Sequence, residues 1–374
     1  MLLDSPAARL RGARIALLAG PASVLSDLGH TLDALLAAGL QVTAVLGPEH
    51  GFRGSMQAGS SEGSGTDPAT GVPVIDAYGQ PMDEVLDAAG AQVVIADLQH
   101  VGARFYTYES SLHDLIAAAR RSGTQVVVCD RPNPVTGAVV AGPVLDPAFA
   151  SFVGRGPLPV RHGMTMGELA HLFASWHDAA GLVQVIPMAG WRREAWFDET
   201  GLPWVPPSPN MPAPATALCY LGTCLMEGTS LSAGRGTTTP FELVGAPWAG
   251  PELARRLRAL ALPGVAFREA HFVPQFDRFA GQSACGVHLQ VTDRLRFDPL
   301  RTALEILAAA DALWPGQLTL SPGPFDRLAG SDRLRAALQA GTAPGDIVAG
   351  WDGDLGAFAA LRAAHLLYDA AGTG

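Results

Sequence analysis

Three short stretches of this 374-residue chain concentrate residue types that can do chemistry. They are Gly47-Pro48-Glu49-His50-Gly51-Phe52-Arg53-Gly54, the run from Asp97 to Tyr108 (DLQHVGARFYTY), and Asp130-Arg131-Pro132-Asn133-Pro134. Glu49 stands beside His50 in a glycine-flanked turn, where a substrate can come close to the backbone and a carboxyl can exchange a proton with it. Arg53, Arg104 and Arg131 carry planar guanidinium groups that read carboxylates bidentately. Gln99 and Asn133 add amides, and Tyr106 and Tyr108 combine an apolar ring with a hydroxyl. Each has a structural alternative: Glu49 can cap a turn, Asp97 or Asp130 can satisfy backbone donors, and the arginines can be surface ion-pair partners. What argues for a shared site is that polar groups of matched type recur after successive strands.

Several chemistries are excluded. All 25 basic residues are Arg, so no lysine can form a Schiff base or serve a Walker motif. The first strand runs into Ala19-Gly20-Pro21-Ala22-Ser23 without G-x-G-x-x-G, which argues against a dinucleotide, and no cofactor is expected. No G-x-S-x-G elbow joins a strand to a helix. Glu168 and His171, with His162 just upstream, lack the H-E-x-x-H pattern and read as a helix-face hydrogen bond, so no metal is expected. Cys219 and Cys224 have no second pair, and the four cysteines read as buried free thiols. A net charge of −10 with no basic stripe excludes a phosphate-neutralising nucleic-acid binder. No apolar run reaches about 18 residues, so no membrane span is expected. Met1 to Arg14 contains Asp4, Arg9, Arg11 and Arg14 and no signal-peptide apolar core, which points to the cytoplasm.

The elements that position these residues form an alternating series. Strands are expected at Arg14 to Ala19, Val42 to Leu46, Val72 to Ala77, Gln92 to Asp97, Gln125 to Asp130 and Val183 to Pro187. Helices are expected at Thr31 to Ala38, Met82 to Ala89, Glu109 to Arg121 and Thr165 to Trp176. Continuous runs such as QVVIAD and QVVVCD mark strands buried on both faces, hence an α/β fold with a doubly wound parallel sheet. Ligands in such sheets bind beyond the carboxyl ends of the strands, where the three chemical stretches lie. Pro203 to Pro214 is expected to be irregular, and Gly59 to Gly71 a mobile loop. Beyond Pro240, β-segments at Val265 to Val273 and Ser283 to Thr292 precede helices at Pro299 to Leu313, Asp332 to Ala340 and Leu355 to Tyr368. The expected division is a Rossmann-like domain over residues 1–235 and a smaller α+β domain over 236–374.

Taken in order, GPEHGFRG, DLQHVGARFYTY, DRPNP, PVRHGMTMGELA, PSPN, EGTSLSAGRGTTTPFELVGAPW and FDRLAGSDRLR resemble the exo-β-N-acetylmuramidases of the NamZ type, over nearly the whole chain. The resemblance implies a glycoside hydrolase that releases N-acetylmuramic acid from the non-reducing end of peptidoglycan fragments, with its site between a Rossmann-like domain and a smaller C-terminal one. The implied partner is a small saccharide or muropeptide, with oligomeric state left open. A glycosidase needs a proton donor and a second group. Glu49 is the choice for acid/base, beside His50. Asp97, Glu168 and Glu227 remain open for the second role, and His162 for a proton shuttle. Arg104, Arg131, Arg161 and Arg235 are candidates for the lactyl carboxylate that distinguishes muramic acid, with Arg53 and Gln99 nearby. Tyr106 and Tyr108 offer a sugar-stacking face, and Asn133 and Asn210 offer amides for ring hydroxyls.

Departures from the family pattern stand at Gly20, His100, Ser230 and Ala233, the last where a glutamate is expected. Two further functions are therefore weighed: a non-catalytic muropeptide-binding or sensing protein, and, by fold-level analogy alone, a nucleotide-sugar transferase.

Overall fold

A computed structural model describes residues 10–369. Most of the segment Met1 to Arg14, on which the reading of a missing leader rested, lies outside the described residues.

The first half of the chain builds a seven-stranded sheet. Its strands are β1 (Arg14–Ala19), β2 (Gln41–Gly47), β3 (Gly65–Thr66), β4 (Pro73–Asp76), β5 (Val93–Asp97), β6 (Gln125–Cys129) and β9 (Val183–Ile186), in the order β3-β4-β2-β1-β5-β6-β9. A short antiparallel pair, β7 (Ala141–Val144) and β8 (Pro159–Arg161), stands apart. The two-residue β3 pairs antiparallel with β4, and the remaining neighbours in the large sheet are parallel. Those six parallel strands have the doubly wound order that reverses direction between β1 and β5. Apart from Arg14 at the start of β1 and Asp97 at the end of β5, both central strands are apolar because both faces are covered. Ile15, Leu17 and Ala19 enter one cluster with Leu32 and Leu35 of the helix Thr31–Ala37, while Ala16 and Leu18 enter the other with Leu112 and Ile116 of the helix Thr107–Ser122. The alternation follows from the two-residue side-chain period of a strand.

The second unit is a three-stranded antiparallel sheet, β10 (Leu243–Ala246), β12 (Ala284–Val291) and β11 (Val265–Phe272) in that order, backed by the helices Glu252–Ala259 and Pro299–Leu313. Leu218, Leu221, Val244, Leu304 and Leu307 join the same apolar cluster as Leu18 and Leu112, so one core runs through both units. The helices Pro214–Thr223 and Pro299–Leu313 approach so closely at Gly222 that a Cβ there would lie 1.9 Å from the Pro299 carbonyl oxygen.

The main strands and helices fall within a few residues of expectation, with three physical differences. The proline-rich stretch is irregular up to Ala213, but Pro214 starts a helix, since proline is tolerated at the first helical position. The Gly59–Gly71 segment is tied down: Ser61 donates to Asp76 at 2.5 Å, Arg53 pairs with Asp67, and β3 lies within it. The last helix is Asp352–Ala363, not Leu355 to Tyr368. Beyond it the chain turns back, where the Leu367 N–H donates to Glu168 at 2.9 Å and the Tyr368 hydroxyl donates to Asp130 at 2.6 Å.

Candidate active site

The loop after β2 delivers Glu49 and His50, and the helix Thr107–Ser122 presents its N-terminus to them. The Thr107 hydroxyl donates to Glu49 Oε2 at 2.5 Å, and the Gly59 N–H donates to Oε1 at 2.6 Å. Glu49 is 7% exposed, yet it lines an open cleft of about 470 Å³. The opposite wall comes from the second unit: Tyr220, Cys224, Glu227, Ala233 and Arg235, then Phe276, Asp277 and Arg278 from the β11–β12 connection. Arg235 pairs with Glu227 and lies 5.0 Å over the Phe241 ring. Burial would lower the Arg235 pKa, but Glu227 outweighs it and raises the value above the ordinary arginine range. A smaller recess of about 40 Å³ continues inward past His50, Tyr106, Ser208 and Asn210.

His50 adopts φ 74, and its Nδ1 donates to the Met56 carbonyl at 3.1 Å. Burial lowers its pKa despite the neighbouring Glu49, so the ring is neutral near pH 7 with one nitrogen committed to the backbone. Asn210 donates to Gln57 at 2.8 Å, and Gln57 also lines the cleft. Burial raises the Tyr106 hydroxyl pKa, against the pull of Ser208 and Tyr108 beside it.

Thus Glu49, Glu227 and Arg235 line the cleft, and His50, Tyr106 and Asn210 line the recess that shares Glu49 and Arg235 with it. Other sequence candidates are placed elsewhere, each for a visible reason. Asp97 takes a bidentate contact from Arg131, 2.5 Å from Nε and 2.9 Å from Nη2, and a 2.5 Å bond from Thr31. That pair faces a second cavity of about 510 Å³ at the β1/β5 reversal, lined by Leu25, Met188, Trp191 and Leu202. Glu168 closes the capping box of the helix Met166–Trp176 and pairs with Arg193 at 0% exposure. Arg104 is 1% exposed and donates to three carbonyls, of Pro143, Leu158 and Leu328, at 2.6 to 2.9 Å. Burial brings its pKa down to about 10. Arg161 donates to the Val135 carbonyl, and Asn133 bridges Met164 and Val135. Gln99 donates to the carbonyls of His100 and Pro132, Arg53 holds Asp67, and Tyr108 donates to the Pro207 carbonyl at 2.8 Å.

His162 belongs to a fully buried cluster with His100 and Glu109 whose ligand atoms lie within 4.8 Å, the one such group among the described residues. The chemistry does not suit a cation. The Met164 N–H donates to His162 Nδ1 at 3.1 Å, which fixes the hydrogen on Nε2, and Nε2 donates to Glu109 Oε1 at 3.0 Å. A metal would need a lone pair where this tautomer holds a hydrogen. Burial pushes the Glu109 carboxyl up to about 7, against the pull of His100.

Sequence reasoning passed over Thr107, Gly59, Tyr220, Phe276 and Arg278. Thr107 stood between the two tyrosines already singled out; Gly59 lay in a segment read as mobile; Phe276 and Arg278 follow a strand of the second unit and carry no local motif.

Comparison with known proteins bears on the same regions. The model of the exo-beta-N-acetylmuramidase NamZ N-terminal family matches residues 15–215, and that of the NamZ C-terminal family matches 218–368. The chain is 42% identical over 373 residues to the peptidoglycan beta-N-acetylmuramidase NamZ of Bacillus subtilis (strain 168), covering 98% of this chain and 90% of that protein. A crystal structure of a DUF1343 family protein from Bacteroides fragilis NCTC 9343 superposes with TM-score 0.88 at 30% identity, covering 98% of this chain and 97% of that one. A second DUF1343 family protein from that source gives TM-score 0.77 at 29% identity, covering 98% and 96%. Two matching family models that together span the strands, the cleft and both of its walls lead to one conclusion: the chain belongs to the NamZ family of exo-β-N-acetylmuramidases.

Proposed function

We infer that this chain carries out the reaction of its family, the exo-acting hydrolysis that frees N-acetylmuramic acid from the non-reducing end of peptidoglycan fragments, and that the reaction takes place in the cleft beside Glu49. The observation that carries this reading is that Glu49 and Glu227, from different units of the chain, line one sugar-sized opening. Glycoside hydrolysis needs a group to protonate the leaving oxygen and a second to activate water or orient the substrate's acetamido group. Glu49 takes the first role. The Thr107 hydroxyl can donate to its carboxylate or accept from its carboxylic acid, so Glu49 keeps a partner in both protonation states. Glu227 takes the second, positioned by Arg235. Gln57, held by Asn210 at 2.8 Å, offers its amide to the sugar in the cleft.

The binding-only alternative has no observation in its favour. Ala233 departs from the expected glutamate and lines the cleft wall, yet Glu49 and Glu227 both remain. All four cysteines are free thiols, which fits a reducing compartment, and we place the reaction in the cytoplasm on recycled wall fragments. Among the described residues no helix is long and apolar enough to cross a membrane. We set the boundary between the two units near Pro214, because the helix Pro214–Thr223 packs chiefly on Pro299–Leu313. The test is a digest of reduced oligosaccharides of defined ends, resolved by chromatography. Free N-acetylmuramic acid should appear from chains with a muramic acid at the non-reducing end and not from chains ending in N-acetylglucosamine; release from both, or from neither, contradicts the reading.

A further inference from the structure

Muramic acid differs from glucosamine by an ether-linked lactyl carboxylate, so an enzyme that requires it needs a cation free to meet that group. Arg104, Arg131 and Arg161 are committed to carbonyls or to Asp97 and do not line the cleft. Two arginines do line it, Arg235 and Arg278. The Arg235 charge is matched by Glu227. Arg278 is exposed, and among the described residues it has no carboxylate within ion-pair distance; its Nη2 makes only a 3.5 Å contact with the neutral Glu227 carbonyl oxygen. The adjacent Asp277 also lines the cleft without pairing to it. With Arg235 matched by Glu227, Arg278 is the cleft-lining cation left to meet an acidic sugar among the described residues.

The backbone holds Arg278 in place. The Gln275 N–H donates to the Gly236 carbonyl at 2.9 Å, and the Gly281 N–H closes the base of the loop on the Pro274 carbonyl at 2.8 Å. Gly236 adopts φ 79, and a Cβ there would meet the Phe276 carbonyl oxygen at 2.5 Å, so only glycine lets the loop seat against the Arg235 segment. Asp277 and Phe279, on either side of Arg278, both take the left-handed conformation at φ 68 and φ 63. Such conformations cost energy in residues other than glycine and gather at ligand clamps. Phe276, 39% exposed, presents a ring to the same cleft.

We propose that the β11–β12 loop is the element that reads muramic acid, with the Arg278 guanidinium taking the lactyl carboxylate and Phe276 packing against the sugar. This rests on the reading of the cleft given above. The assay uses para-nitrophenyl β-N-acetylmuramide and its uncharged lactyl methyl ester with the wild type, Arg278→Gln and Arg278→Lys. Losing one charge-assisted bidentate contact should lower kcat/KM on the acid by roughly 10- to 100-fold, mainly through KM. Arg278→Gln should leave the ester within about twofold, and Arg278→Lys should recover part of the loss. Equal losses on acid and ester, or no loss on the acid, would overturn the assignment. Calorimetry with free N-acetylmuramic acid and N-acetylglucosamine reads the contact without turnover. Arg278→Gln should weaken the first sugar and not the second, so a wild type inactive on both glycosides would count against the catalytic reading while Arg278 is still judged by binding. Equal weakening of both sugars would overturn the Arg278 assignment there too.

Discussion

Glu49 owes its usefulness to two small donors, the Thr107 hydroxyl and the Gly59 N–H. Thr107→Val keeps shape and removes the donor, and it should lower kcat by about tenfold with KM little changed, as measured on a disaccharide with N-acetylmuramic acid at its non-reducing end. An unchanged kcat would show that Thr107 does not tune the acid. Arg104 makes the opposite case. Arg104→Leu strands three buried carbonyls and should cost about 2–4 kcal/mol in chemical denaturation, while the preference for muramic acid over glucosamine stays as it was. A changed preference at native stability would return Arg104 to substrate recognition. At this scale the sequence marks chemical types well and their destinations poorly. Glu49, Glu227 and Arg235 line the cleft, while His50, Tyr106 and Asn210 line only the small recess beside it. Asp97 ends a strand and Glu49 follows one, but Arg131 arrives from the loop after the neighbouring strand and engages Asp97 fully. Arg278 was illegible because its value lies in having no carboxylate partner among the described residues, which only the folded structure reveals.

The elements were more legible than the residues they carry. Strands buried on both faces announce themselves as unbroken Val/Ile runs, so the large sheet could be written down from QVVIAD and QVVVCD. The short β10, LVGA, has no such signature; it is defined by its partner β12. Tertiary contacts also decide what helix termini do. Glu168 reads as a candidate acid in the RHGMTMGELA string, but it closes a capping box with Thr165, pairs with Arg193 and accepts from the Leu367 N–H. Glu168→Gln breaks a buried pair and should lower stability by about 3–5 kcal/mol by denaturant titration while kcat per folded molecule holds. Wild-type stability with a large fall in kcat would restore Glu168 to the chemistry.

For the molecule as a whole, one apolar core carries the large sheet and the second unit together, and the cleft opens between them on the β2 side of the β1/β5 reversal. Beneath it the buried Glu109 leaves a signature in global stability. Its pKa is raised in the folded state to about 7 from 4.5, so between those values the folded protein binds more protons at this site than the unfolded chain does. The site's contribution to stability is therefore present below about pH 4.5 and is lost as pH rises through about 7. Glu109→Gln should remove this dependence, so wild-type stability relative to the variant should fall from pH 5 to pH 7.5; a constant difference would mean that Glu109 stays ionised. The central claim, that the cleft around Glu49 is where the glycosidic bond breaks, meets its most direct trial in one comparison of turnover. The wild type and Glu49→Gln are given a disaccharide with N-acetylmuramic acid at its non-reducing end, whose sugar leaving group needs protonation, with melting temperature and sugar binding followed alongside. The account predicts steady release by the wild type and at least about a hundredfold lower kcat in the variant, with fold and binding retained. A fall of less than a few-fold would contradict it.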